Sequence, residues 1–357
     1  MSPALHEVKL DLFTKTLLRN GSPFFPIGIY WLRKERLAEV KQLRFNSGDY
    51  YYKLDDAEVG DLMDAAAEEG VAILLELSDH IRHLEVPDTT AIYQKVMRYR
   101  GHPALLAWYL VDEPADAGVK ATDTMQIYER IRQLDPYHPV SLVNNRPHTF
   151  ADYIGSSDVI AIDPYPVPNY PISRVSEYAR QASWVSMTQK PVWLVAQAFG
   201  GVEHWPRPPT AAELRNMVYQ GLVQGVTGVF FYRYCGEDER NIQPDALWRE
   251  VRRLAQELET LSPVLMAEDR TFRVRRVGGT QDLQIALREA DHEYYLIAVN
   301  PTHGVRQGEY RIEGLMPLTD VEVVSGSRSL TVAPESRVYL ELGPLGTGVY
   351  RLLVAGV

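Results

Sequence analysis

The chain has 357 residues, 45% of them hydrophobic and 24% charged, the proportions of a folded protein with room for one large domain and a smaller one. Its formal charge of -10, with no Lys/Arg-rich run, excludes a surface built for nucleic acid or for an anionic membrane, because both need a basic face to meet phosphates. A single cysteine, Cys235, excludes an internal disulfide, and no apolar run approaches the length of a membrane span.

The opening MSPALHEVKL has no apolar leader core, which points to the cytoplasm or to a secreted protein that has lost its leader. A hairpin is expected through Val8 to Leu18, and Asn20-Gly21-Ser22 reads as a turn rather than a glycan site. Eight short apolar runs then follow: FFPIGIY (24–30), RFNSGD (44–49), VAILLEL (71–77), ALLAWYLV (104–111), PVSLV (139–143), DVIAID (158–163), PVWLVA (191–196) and GVFFY (228–232). Helical periodicity fills the gaps over 33–43, 57–69 with Gly70 as the stop, 90–99, 122–134, 173–188 and 209–224, the last opened by a capping box of Thr210 and Glu213. A final helix is expected from Pro244 to Leu261, closing at Ser262-Pro263.

Strands that alternate with helices are parallel, and near-continuous apolar runs mean both faces of the sheet are covered. Eight such units predict an α/β fold, a (β/α)8 TIM barrel; no G-x-G-x-x-G or P-loop supports a nucleotide fold instead. From Arg270 onward, segments such as LQIALREADHEYYLIAVN alternate at period two, as a small antiparallel β-sandwich would. The expected division is therefore a barrel with its N-terminal hairpin over 1–267 and a sandwich over 268–357.

In such a barrel, function gathers at the C-terminal ends of the strands. Here those ends deliver Tyr30 and Trp31; Asp49 and the tyrosines 50–52, with Tyr51 the cleft candidate; Glu76; Asp112 and Glu113; Asn144; Asp163 and Tyr165; Gln197, followed by Glu203 and Trp205; and Tyr232 and Arg233. Acids to move protons, amides to grip hydroxyls and flat aromatic faces to stack on sugar rings suit a carbohydrate site. The expected partner is a carbohydrate substrate, with no cofactor, no metal, no nucleic acid and no membrane. The segment SDHIRH, with Asp79, His80 and His83, lacks a fourth ligand for zinc and reads as a solvated loop. Cys235 reads as an inert loop thiol.

The sharpest stretch is LLAWYLVDEP (105–114), where two adjacent carboxyls at the lip of a buried strand point to opposite sides. With Trp108 and Asp112-Glu113-Pro114 at the end of the fourth strand, it resembles the clan of barrel glycoside hydrolases whose acid/base glutamate follows strand four and whose nucleophilic glutamate follows strand seven. The β-galactosidase and agarase-like branch carries Asp-Glu-Pro there. DVIAIDPYP on strand six and GVTGVFFYRY on strand eight are similar to lip sequences of the same clan, so the resemblance covers about 24–261. It implies that Glu113 is the general acid, and that Asp112 stands where an amide usually holds the sugar 2-hydroxyl.

Strand seven departs from the clan. Aligned on Pro191 and Trp193, the nucleophile position falls on Ala196 or, with one bulged residue, on Gln197, and neither can form a glycosyl ester. Four readings stay open at this stage. Asp163, Glu76, Asp49 or Glu203 serves as base in an inverting reaction; Glu203 folds back as a substitute nucleophile; Gln197 orients a substrate N-acetyl group that attacks its own anomeric carbon; or the protein binds sugar without turnover or carries out a different chemistry.

Overall fold

The structure, a computed structural model, describes residues 6–50, 54–82, 84–202, 204–234, 243–327 and 329–355. Eight parallel strands close into a barrel in strict chain order: β1 (Ile27–Leu32), β2 (Ser47–Tyr50), β3 (Ala72–Glu76), β4 (Leu105–Asp112), β5 (Val140–Asn144), β6 (Val159–Ile162), β7 (Val192–Gln197) and β8 (Val229–Tyr232). Among the described residues eight α-helices accompany them: α1 (Leu37–Gln42), α2 (Asp56–Glu69), α3 (Thr89–Tyr99), α4 (Ala121–Leu134), α5 (Phe150–Tyr153), α6 (Arg174–Val185), α7 (Ala211–Val223) and α8 (Asp245–Leu265). The (β/α)8 fold expected from the sequence is the one observed. Between β5 and β6, where the helical pattern is faint, α5 is a single turn flanked by 3-10 turns.

The period of two sorts each strand between two cores. Leu74, Tyr109, Val143, Ala161, Trp193, Val195 and Phe230 meet inside the barrel, whereas Ile73, Leu75, Leu142, Leu194 and Phe231 pack outward against the helices. Gly28 leaves the axis open to the Phe230 ring, which a Cβ there would meet at 2.0 Å.

The N-terminal segment forms a three-stranded sheet (Val8–Leu10, Leu17–Arg19, Ser22–Phe24), one strand more than the expected hairpin. Val8 and Leu17 join the axial core, and the Val8 amide donates to the Tyr137 carbonyl just before β5 at 3.0 Å. The sheet thus stoppers the N-terminal end of the barrel, so the axial space opens at the C-terminal ends of the strands.

The expected stop at Ser262-Pro263 does not end α8, which runs through to Leu265. Pro263 has no N–H to give the Glu259 carbonyl, and the Ser262 hydroxyl donates to that carbonyl instead at 2.9 Å. Beyond α8, a five-stranded and a four-stranded antiparallel sheet enclose a core that includes Leu287, Leu296, Tyr310, Leu340 and Tyr350. The other face of the five-stranded sheet lies on α7, which is buried almost all round between barrel and sheets. Asn216 of α7 donates to the Asn300 carbonyl across that contact at 2.8 Å.

Candidate active site at the mouth of the barrel

The open end of the barrel holds a cavity of about 750 Å³. One side of it is aromatic. Phe199 lies 5.2 Å from Tyr165, 5.1 Å from Trp205 and 5.2 Å from Tyr232, ring centre to ring centre, with edges turned to faces. Next to this group the Arg233 guanidinium stacks 3.5 Å above the Trp31 ring. The opposite side is acidic, with Asp49 from β2, Glu76 from β3, Asp112 and Glu113 from β4, and Asp163 just beyond β6.

Glu113 and Asp163 hydrogen-bond to each other through their carboxyl groups, which requires a proton between them. Burial is the main cause that raises both above the ordinary carboxyl range; the Asp112 charge adds to it at Glu113, and the Glu113 charge at Asp163. Asp163 is 4% exposed and its Oδ1 has no partner in the protein. The backbone at Glu113 is left-handed (φ 44°), as it is at two other residues of the cavity wall, Trp31 (φ 65°) and Tyr165 (φ 31°). Such conformations cost roughly 1–3 kcal/mol each in residues other than glycine and collect at sites that need a side chain held at a set angle.

Asp112 is anchored on both oxygens. Arg82 Nη1 donates to Oδ2 at 2.6 Å and the Tyr109 hydroxyl donates to Oδ1 at 2.7 Å, while the Asp112 amide donates to Ser78 Oγ at 2.8 Å. This network aligns the lip of β4 and sets the backbone from which Glu113 projects. Asp49 is raised well above the carboxyl range by burial and by the neighbouring Glu76 charge, and Glu76 is pushed up to about 8 by burial and by Asp112. Among the described residues, no three His, Cys, Asp or Glu side chains gather as metal ligands do. No helix among them is long and apolar enough to cross a membrane.

No family profile and no curated protein matches the chain. Solved structures do match. An α-amylase from Geobacillus thermoleovorans, crystallised with acarbose, superposes with a TM-score of 0.59 at 11% identity, over 90% of this chain and 92% of that one. A family 30 endoxylanase from Clostridium papyrosolvens gives 0.56 at 9% identity, over 92% and 95%. A β-glucuronidase from an uncultured Clostridium gives 0.50 at 18% identity, over 71% and 53%. The likeness is one of fold. These neighbours are glycoside hydrolases built, like this chain, on an eight-stranded barrel.

The residues singled out in the sequence separate into three groups. Tyr30, Asp49, Glu76, Asp112, Glu113, Asp163, Tyr165, Trp205, Tyr232 and Arg233 all line the cavity. Glu203 and Tyr51 lie outside the described residues, as do His83 and Cys235. Gln197 and Asn144 are described but stand apart from the cavity. Gln197 shares the axial alternation of Trp193 and Val195, yet its Oε1 accepts from the Val167 amide at 2.9 Å and its Nε2 donates to the Val167 carbonyl at 2.7 Å. It is a clasp between β7 and the loop after β6. Gly200 lets the returning chain pass close beside the strand end, since a Cβ there would meet the Pro208 nitrogen at 2.1 Å. Asn144 follows the outward alternation of Leu142, and its Oδ1 caps the turn at the Arg146 amide at 2.9 Å.

Four residues of the site escaped sequence reading, one of them Phe199 at the centre of the aromatic wall. Tyr109 lies inside the apolar run of β4 and reads as core. Ser78 and Arg82 belong to SDHIRH, expected to be a solvated loop; it instead begins as a 3-10 turn with Ser78 buried against the β4 lip. Alternating run and loop signals give no hint that an arginine six residues past a strand turns back to a carboxylate on the next one.

Proposed function

We propose that the protein hydrolyses glycosidic bonds in a neutral or weakly charged glycan, with Glu113 as the general acid. The observation that carries this reading is the buried, proton-sharing pair of Glu113 and Asp163 in a cavity walled by acids on one side and aromatic rings on the other. A carboxyl raised by burial is suited to giving a proton to a leaving glycosidic oxygen, and the bond to Asp163 orients Glu113 for it. The aromatic rings stack on the sugar, with Tyr232 and Trp205 as platforms, and Arg233 donates hydrogen bonds to the oxygens of its hydroxyls.

A second reading, sugar binding without turnover, is favoured by the clasped Gln197, which leaves β7 with no carboxylate at the position the clan uses. The two separate in one experiment. Wild type and Glu113→Gln are assayed on a broad panel of aryl glycosides and oligosaccharides, with binding measured in parallel. Turnover by wild type that the substitution abolishes supports the hydrolase; binding by both without turnover by either overturns it in favour of the second reading.

A further inference from the structure

The wall formed by β2 and β3 carries more carboxyl groups than the cations around it can pair. Asp49 and Glu76 are 2% and 7% exposed, and Asp79 stands beside them at the rim of the cavity. Of the described cations near them, Lys95 donates to the Tyr50 hydroxyl at 3.0 Å and Arg82 is held by Asp112 at 2.6 Å. Asp49, Glu76, Asp79 and Asp112 thus face two cations, Arg82 held by Asp112 and Lys95 acting on the other three. A separate observation points to a missing partner: Asp49 Oδ1, on a side chain that lines the cavity, is buried and accepts no hydrogen bond from the protein.

We propose that this wall is a subsite for a primary ammonium group, so that the glycan taken by the cleft contains hexosamine units with a free amine. The inference rests on the glycan reading above and narrows it. Asp49 stands opposite Leu74 in the β2–β3 register, two residues before Glu76, so neighbouring strands present both carboxyls to one end of the cavity. An ammonium carries three donors on a compact charge and can serve acceptors that approach from different strands. A sugar hydroxyl brings one donor and no charge. An acetamido group brings one weak donor and a bulky methyl.

The empty wall stores its charge as protons, because burial and mutual repulsion raise both carboxyls. A bound ammonium reverses that balance, so the carboxyls ionise and protons leave for solvent as the amine enters. Amine binding is therefore coupled to proton release, which neutral sugars do not cause.

The test titrates glucosamine, N-acetylglucosamine and glucose into the intact protein near neutral pH. It follows the fluorescence of the cavity tryptophans Trp31 and Trp205, and repeats the amine titration calorimetrically in two buffers of different ionisation enthalpy. The expected result is glucosamine bound about tenfold or more tightly than either comparison sugar, the margin of one charge-assisted bond over a neutral one, with net proton release. Asp49→Asn should bring the three affinities together, and Glu76→Gln, a second variant in case the first folds poorly, should narrow the gap in the same direction. If glucose or N-acetylglucosamine binds as tightly as glucosamine, the amine subsite is overturned and the glycan reading stands. If no sugar binds, both are overturned.

Discussion

The lips of β4 and β7 occupy equivalent places in the barrel and end in a polar residue each, yet they finish in opposite conditions. At β4 the chain turns through a left-handed residue, and Glu113 emerges into the cavity beside Asp163. At β7 the loop folds back over Gly200, and Gln197 spends its amide on Val167. A polar residue at a strand end is thus available for chemistry only where no neighbouring loop claims it. Its side chain type says little about which of the two has happened.

The largest effect that would sharpen this contrast is kinetic. Glu113→Gln should reduce turnover of any cleaved glycoside by roughly 10²–10⁴-fold, the usual share of a positioned proton donor, with the melting temperature nearly unchanged. Equal rates for the variant and wild type would remove Glu113 from the reaction. At β7 the expected effect is on stability instead. Gln197→Ala strands a buried amide and a buried carbonyl of Val167, a loss of about 2–4 kcal/mol readable in urea or thermal unfolding. Gln197→Glu should destabilise as well, because a carboxylate oxygen would face the Val167 carbonyl where Nε2 now donates; the appearance of new hydrolytic activity in this variant would break the comparison.

The acidic wall gives a pH signature with a definite sign. Glu76 is raised from 4.5 to about 8, so between those values the unfolded chain has given up a proton that the folded one retains. Stability is then greatest at the acid end of that window and declines as pH rises through it. Since the protons are shared with Asp49, the portion assignable to Glu76 is on the order of 2 kcal/mol. Glu76→Gln should flatten the decline, which thermal unfolding at pH 5 and pH 8 would measure; an unchanged slope would contradict the raised value. The smallest effect is at β5, where Asn144→Ala removes a turn cap at a cost of about 1 kcal/mol and leaves sugar affinity as it was.

Much of the fold is written locally. The eight apolar runs and the helices between them follow from hydrophobic periodicity, because burial on both faces of a parallel sheet demands such runs wherever the sheet forms. The Thr210 and Glu213 capping box is equally local, and both of its bonds are present at the start of α7. Local signals fail where a distant partner changes the outcome. Pro263 is a helix stop by propensity, but Ser262 takes over the orphaned carbonyl and α8 continues. SDHIRH is polar and short, yet Asp112, thirty residues from Arg82, draws it into the cavity wall.

The same division holds at the site. Composition and order alone determined that the chain folds as an α/β barrel, and that acids and aromatic rings crowd the ends of its strands. That inventory depends only on which residues follow each apolar run. Only the tertiary structure decided which of those residues face one another: Glu113 with Asp163, Asp112 with Arg82 and Tyr109, Gln197 with Val167. Hydrogen bonds and buried charges act over a few ångströms in space between residues tens of positions apart in the chain, and a strand end carries no local record of the loop that will cover it.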